Sequence, residues 1–315
     1  MKKKTMTRYI VRRVLLTIPL LLSVSILTFV FINLSPMDPV EVVLHAQGVP
    51  QITDELLLLT RAELGMDKPF MVRYLDWLIA CFWLDFGNSY VTGQPVWQLL
   101  GPAFVNTLKL VLVSIILVVF LSIFFGVICA LKEGRWLDKS IRGGAFVFTA
   151  IPPYLLAALM TWFFAVELDL LPTSGMDSYA SYILPVFVIA VSYAGIYFRI
   201  IRSSMISNLS EDYVLYAKAS GLPEWRITLH VLKNSLQVVV SVFFMAIPIM
   251  LGSTVVVENV FAWPGLGTLS VKSILSRDFP VIEAYVLILA VFFILFNAVS
   301  DIVNTMMDPL LRKEN

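Results

Sequence analysis

AFVNTLKLVLVSIILVVFLSIFFGVICAL, residues 103–131, is apolar along nearly its whole length. About 20 mostly apolar residues cross the roughly 30 Å of bilayer hydrocarbon as a helix, so this stretch reads as a transmembrane span. Five further stretches meet the same test, at about 10–34, 143–166, 182–201, 235–258 and 282–306. Prolines 19, 152, 153, 185 and 248 fall in or at the ends of them. A span tolerates proline because neighbouring helices can satisfy the carbonyls it frees.

The composition agrees. The chain is 59% hydrophobic and 14% charged, against about 45–50% and about 25% in soluble domains. Such a surplus of apolar side chains must face lipid or other membrane helices. A net charge of +1 gives no reason to expect nucleic acid. Cys81 and Cys129 are the only cysteines, so neither a disulfide framework nor a Cys/His metal cluster is expected. The basic start leading into 10–34 resembles a signal peptide only superficially, because a signal's apolar core is about 7–15 residues long and a small-residue cleavage site follows it.

Lys and Arg set the expected orientation, since positive segments stay in the cytoplasm. The amino terminus carries Lys2, Lys3, Lys4, Arg8, Arg12 and Arg13, and the tail carries Arg312 and Lys313. Lys132, Arg135, Lys139 and Arg142 follow the second span, and Arg199, Arg202, Lys218, Arg226 and Lys233 follow the fourth. Residues 167–181 hold no Lys or Arg, and the acid-rich 35–102 has only Arg61, Lys68 and Arg73. Both termini are therefore expected in the cytoplasm, with 35–102 and 259–281 outside. The division along the chain is a first span with its leader at 1–34, an outer region at 35–102, a five-span core at 103–306 and a tail at 307–315. Within the outer region, Thr53–Leu64 predicts a short capped helix, and the aromatic run Tyr74–Phe86 an interfacial helix or packed lid.

Between the fourth and fifth spans lies EDYVLYAKASGLPEWRITLHVLKNSL, residues 211–236. Its pattern is helix, a break at Gly221 and Pro223, then helix. Taken alone, this is either an amphipathic connector or a compact knob on the cytoplasmic face.

Here the sequence resembles a known family, the B-type permease subunits of dipeptide, oligopeptide and nickel ABC importers. The knob matches at Asp212, Tyr213, Ala217, Ala219, Gly221, Leu222, His230, Lys233 and Asn234. It departs mildly at Ser220, where the family usually carries Arg or Lys before the glycine. RYIVRRVLLTIPLLLSVSILTFVFINLSPMDP, LDFGNSYVTGQPV, VVVENVFAWPGLGTLSVKSILSRDFPVI and SDIVNTMMDPLLR are similar to the family's first span, outer loop, fifth-to-sixth link and ending. Within the family, VLHAQGVP, SYVTGQPVW, GPAFVNTLKL, LLPTSGM and SYAGIYFRIIRSSM look most like permeases for nickel or cobalt carried by opine-type metallophores.

The resemblance implies an all-α membrane protein with the type I importer permease fold and six spans, in the bacterial cytoplasmic membrane. It implies that residues of about 205–234 form the coupling loop that docks into an ATPase. The implied partners are a second homologous permease, two ATPase subunits and an extracytoplasmic solute-binding protein, with membrane lipid around the spans. This chain would bind no cofactor, ATP and Mg²⁺ being held by the ATPases. The implied solute is a metal–metallophore complex, with a di- or oligopeptide as the alternative.

Glu258, Asn259, Asn297 and Asp301 are candidate pathway groups, because polar side chains at membrane depth are costly. Interfacial placement of Glu258 and Asp301, or helix–helix hydrogen bonding by Asn297, explains them equally well. His45 and His230 fall on opposite sides, so they cannot share a site, and His45 reads as a solvated loop residue. No GxxxxGK[ST] phosphate loop, HExxH motif or nucleophile–base–carboxylate set occurs. A secondary transporter driven by an ion gradient would call for paired repeats and mid-span acids, and the sequence displays neither clearly.

Overall fold

A computed structural model describes residues 3–34 and 38–307, with side chains for 15–34, 38–236, 239–240 and 242–303. The cationic side chains at 2–13 and the tail with Arg312 and Lys313 lie outside the described residues. The helices are α1 (Lys3–Asn33), α2 (Pro39–Ala46), α3 (Asp54–Glu63), α4 (Phe70–Cys81), α5 (Val96–Leu131), α6 (Trp136–Ala150), α7 (Pro153–Thr161), α8 (Ile183–Leu209), α9 (Asp212–Ala219), α10 (Glu224–Val260), α11 (Leu266–Ser276) and α12 (Phe279–Met307).

Five segments are long and apolar enough to cross a membrane: Leu15–Asn33, Val96–Leu131, Tyr179–Leu209, Val242–Val260 and Phe279–Val303. The expected third span is a bent pair, Trp136–Ala150 with Pro153–Glu167, turning by 97°. The prolines explain the break. A residue before proline is pushed out of the helical region, and Ile151 and Pro152 take ψ 125 and 137. The chain then re-enters helix at α7 and widens into a π-helical turn over Trp162–Glu167.

The described residues form two compact units. The larger holds residues 3–5, 108–263 and 295–307, and the smaller holds 6–34, 38–107 and 264–294. In the larger unit α8 is the central element, packed by α6, α7 and α10. Two glycines allow the close approach. A Cβ on Gly195 would stand 2.7 Å from Thr149 Cγ2, and one on Gly126 2.7 Å from Ile201 Cγ2. Small residues at such crossings let membrane helices gain dispersion contact, the main attraction left when lipid is as apolar as leucine.

In the smaller unit, Phe86, Val96, Leu100, Ala103, Leu266, Val281 and Ala284 make one buried cluster. It joins the 35–102 region to residues 266–284, which run from the outer 259–281 segment of the sequence reading into its sixth span. Asp278, just before α12, accepts hydrogen bonds from Ser89 Oγ at 2.5 Å and Tyr90 N at 2.9 Å. Thr107 Oγ1 accepts from Leu266 N at 2.7 Å, and Asn106 Nδ2 donates to Pro264 O at 2.9 Å, fastening the Trp-Pro-Gly-Leu-Gly turn.

The capped helix expected at Thr53–Leu64 is present as α3, with Thr53 Oγ1 accepting from Leu56 N. The aromatic run 74–86 divides: α4 ends at Cys81, Phe82 and Trp83 are exposed, and Phe86 enters the buried cluster. His45 is exposed as expected but sits in the last turn of α2, not in a loop. That helix forms because Asp38 caps it, accepting from Val40 N, with Pro39 supplying the first helical residue. Arg61 of α3 pairs with the Asp38 carboxylate.

Candidate functional site

The helix–turn–helix expected at 211–236 is built by α9 and the first turns of α10. Gly221 takes φ +72, its N–H bonds Lys218 O at 3.0 Å, and Leu222 N bonds Ala217 O at 3.1 Å. That pair of reversed bonds is a Schellman cap, which needs the left-handed conformation glycine adopts without strain. Pro223, at φ −66, then starts α10. The second arm continues unbroken to Val260, so the knob and the fifth span share one helix.

One face of the knob is anchored. Val214, Ile227 and Val231 are buried against Ala130, Ile201, Met205 and Val239, with Tyr213, Ala217 and Leu222 packed on them. Ala217 therefore spends its small side chain on the chain's own core, and Ala219 is the exposed alanine. Asp212, Gly221, His230, Lys233 and Asn234 are also exposed. The sequence reading missed Leu215, Tyr216, Trp225 and Leu229, each more than half exposed. Large apolar side chains exposed on a charged knob mark a protein or membrane contact. Their alternation with Val214 and Ile227 was the available signal, since an amphipathic helix that buries one stripe normally leaves a polar one outside.

Next to the knob lies a cluster that sequence spacing does not reveal. Asp138 of α6 is fully buried. Arg202 of α8 grips it with two bonds, Nε to Oδ1 at 2.8 Å and Nη2 to Oδ2 at 2.9 Å. Gly134 N donates to Oδ2 at 3.1 Å, and Arg142 Nε stands 3.4 Å from Oδ1. The bidentate fork fixes the angle between guanidinium and carboxylate as well as their distance. It thereby ties the start of α6 to the same stretch of α8 that carries Ile201 and Met205, the floor of the knob.

The candidate pathway groups separate by position. Glu258 is fully buried and Asn259 exposed in the last turn of α10; Asn259 Nδ2 donates to Val255 O at 2.8 Å and Glu258 O accepts from Trp263 N at 2.8 Å. Asn297 and Asp301 are half-buried in the later half of α12. Among the described residues no group of three or more His, Cys, Asp or Glu side chains could hold a metal ion.

Cys81, at the end of α4, has its thiol pushed up to about 12 by burial, then by Glu283 and Asp85. Its thiolate is therefore scarce below that pH. At pH 8, alkylation of Cys81 by iodoacetamide is expected to run about a thousandfold slower in folded protein than in unfolded chain, from the three pH units between 9 and 12. Mass spectrometry of the Cys81 peptide reads it, and equal rates would contradict the burial.

A membrane core thus carries an exposed, apolar-tipped knob. The chain belongs to the binding-protein-dependent transport system inner membrane component family, which matches residues 122–313, while the amino-terminal domain of such membrane components matches 6–116. It is 49% identical, over 98% of its length and 99% of the relative's, to the metal-staphylopine import system permease protein CntB of Staphylococcus aureus. It is 36% identical over the same shares to the glutathione transport system permease protein GsiC of Salmonella typhimurium. Its fold resembles a chain of the MetNI methionine ABC transporter in an inward-facing conformation, with a TM-score of 0.58 and 17% identity over 67% of this chain and 97% of that one. The protein is thus a permease subunit of an ABC importer, a multi-pass protein of the bacterial cytoplasmic membrane. It works with ATPase and substrate-binding partners and carries no enzymatic step of its own.

Proposed function

We propose that this permease translocates a metal ion held by an organic metallophore. The observation that carries the reading is the difference in identity across the same span of chain: 49% to the metal-staphylopine permease against 36% to the glutathione permease. Both relatives cover the chain end to end, so the margin is not an effect of coverage. The imported species is the complex, which suits a chain whose described residues offer no cluster able to strip the metal.

The remaining parts of the assembly follow from the sequence resemblance. A second homologous permease supplies the other half of the pathway, two ATPases hold ATP and Mg²⁺, and an extracytoplasmic protein delivers the solute. Both termini and the knob face the cytoplasm, in line with the distribution of Lys and Arg. The knob sits in a cleft of one ATPase, with Tyr216, Trp225 and Leu229 as apolar anchors and Asp212, Lys218, His230, Lys233 and Asn234 around them. Because α10 is continuous from the knob into the fifth span, a displacement of the ATPase is passed on as rigid-body motion. Glu258, Asn259, Asn297 and Asp301 are proposed to meet the pathway that this motion opens.

Uptake separates the solutes. In cells with and without the gene, labelled nickel is supplied free or complexed to an opine-type metallophore, beside labelled dipeptide and glutathione. Loss of only the complexed metal is the expected result. Loss of only peptide or glutathione uptake would move the solute to the peptide class and leave the permease assignment standing.

A further inference from the structure

The smaller unit contains a cavity of about 700 Å³ that the coupling reading leaves unused. Its walls come from the end of α1, from α2 to α4, from the 85–93 loop and from the start of α12. That volume lies within the range of small-molecule sites, about 300–1,000 Å³.

Most charges on its walls are already answered. Lys68 and Asp76 pair at 2.9 Å, and Asp85 Oδ1 accepts from Gly87 N at 3.0 Å. Two are not. Glu283 is only 8% exposed, yet among the described residues no hydrogen bond or ion pair reaches its carboxylate. Arg73 is half-buried with its guanidinium 5.8 Å from the centroid of the Phe29 ring, and it also has no ion-pair partner there. Arg73 is the charge that acts on Glu283 across space without closing on it. The indole Nε1 of Trp77, on the same cavity, is buried without a hydrogen-bond partner. Buried polar groups are normally hydrogen-bonded, so the Glu283 carboxyl and the Trp77 indole, both without a partner and on the same cavity as the half-buried Arg73, mark a site shaped for something else.

We propose that this cavity recognises a small amphoteric organic molecule, which presents a protonated amine to Glu283 and a carboxylate to Arg73, its apolar stem lying against Phe29 and Trp77. An ammonium gives the Glu283 carboxylate the donors it lacks, and a ligand carboxylate meets the guanidinium as a bidentate pair. The two rings supply apolar contact, and Arg73 stays over one of them. The proposal rests on the transport reading only for the side of the membrane the cavity faces.

The test measures binding and needs no transport, so its failure and that of the transport reading are separate events. Alanyl-alanine is titrated calorimetrically into the full chain in nanodiscs made only of phosphatidylcholine. Saturable binding is expected, weakened at least about tenfold by N-acetylation of the peptide or by Glu283→Gln, and likewise by C-terminal amidation or Arg73→Met. Glu283→Gln replaces a buried carboxyl that has no partner and should leave the thermal midpoint unchanged or higher. Should Arg73→Met fail to fold, the amidated peptide on the unaltered chain makes the same comparison. No saturable binding up to about 10 mM, or equal binding of the acetylated peptide, overturns the proposal. Phosphatidylethanolamine carries a similar pair of charges. If the dipeptide fails while that lipid raises the thermal midpoint in a Glu283-dependent way, the occupant is a headgroup and the small-solute assignment falls.

Discussion

Arg202→Met is expected to cost the chain about 3 kcal/mol of stability, the lower end of what breaking a buried ion pair costs. The substitution removes both short bonds to Asp138 and leaves that carboxylate fully buried. Arg142, 46% exposed with its Nε 3.4 Å from Oδ1, and the Gly134 N–H remain as partial compensation, which holds the cost to the lower end of that range. The loss should appear as a lower thermal midpoint in detergent and less protein in the membrane. Arg202→Lys should fall between, because an ammonium keeps the charge but not the two-pronged geometry. Removing both charges with Asp138→Leu in the same chain should recover much of the stability, as burying two apolar groups is often no worse than burying a pair of ions. An unchanged midpoint for Arg202→Met would mean that the pair does not hold α6 to α8.

Gly221→Val is expected to abolish uptake while the protein still inserts and accumulates normally. Valine at φ +72 costs about 1–2 kcal/mol, because its Cβ crowds the backbone in the left-handed region. Nothing lies within 4 Å of the position that Cβ would take, so the surrounding fold is not pushed apart. The strain is relieved by opening the Schellman turn, which redirects α9 against the start of α10. At a docking equilibrium that energy is about tenfold in affinity, and the altered angle between the helices weakens the fit further. Gly221→Asn is the control, since asparagine visits the left-handed region more readily than other side chains, and it should keep most of the uptake. Full uptake by the valine variant at normal expression would remove the coupling role from this turn.

The fold was legible where it follows from local chemistry. The spans follow from runs of about 20 apolar residues, because no other backbone satisfies its own polar groups inside hydrocarbon. The α3 cap at Thr53 and the α9–α10 turn at Gly221 also follow from single residues with strong local preferences. The third span shows the limit: Pro152 and Pro153 were visible, but whether neighbours absorb a proline or the chain turns by 97° depends on packing.

For the candidate site, the sequence determined that a knob exists, where it turns and which residues compose it. Tertiary structure decided which way each of them faces. Ala217 and Ala219 are two residues apart and chemically identical, yet one packs on the Val214–Ile227–Val231 cluster and the other is exposed. The grip of Arg202 on Asp138 spans 64 positions, and the 35–102 region shares its buried cluster with residues near 281. Hydrophobic length and turn preference are properties of a few consecutive residues. Burial, ion pairing and cavities depend on which distant segments come together, and that is settled only when the helices pack.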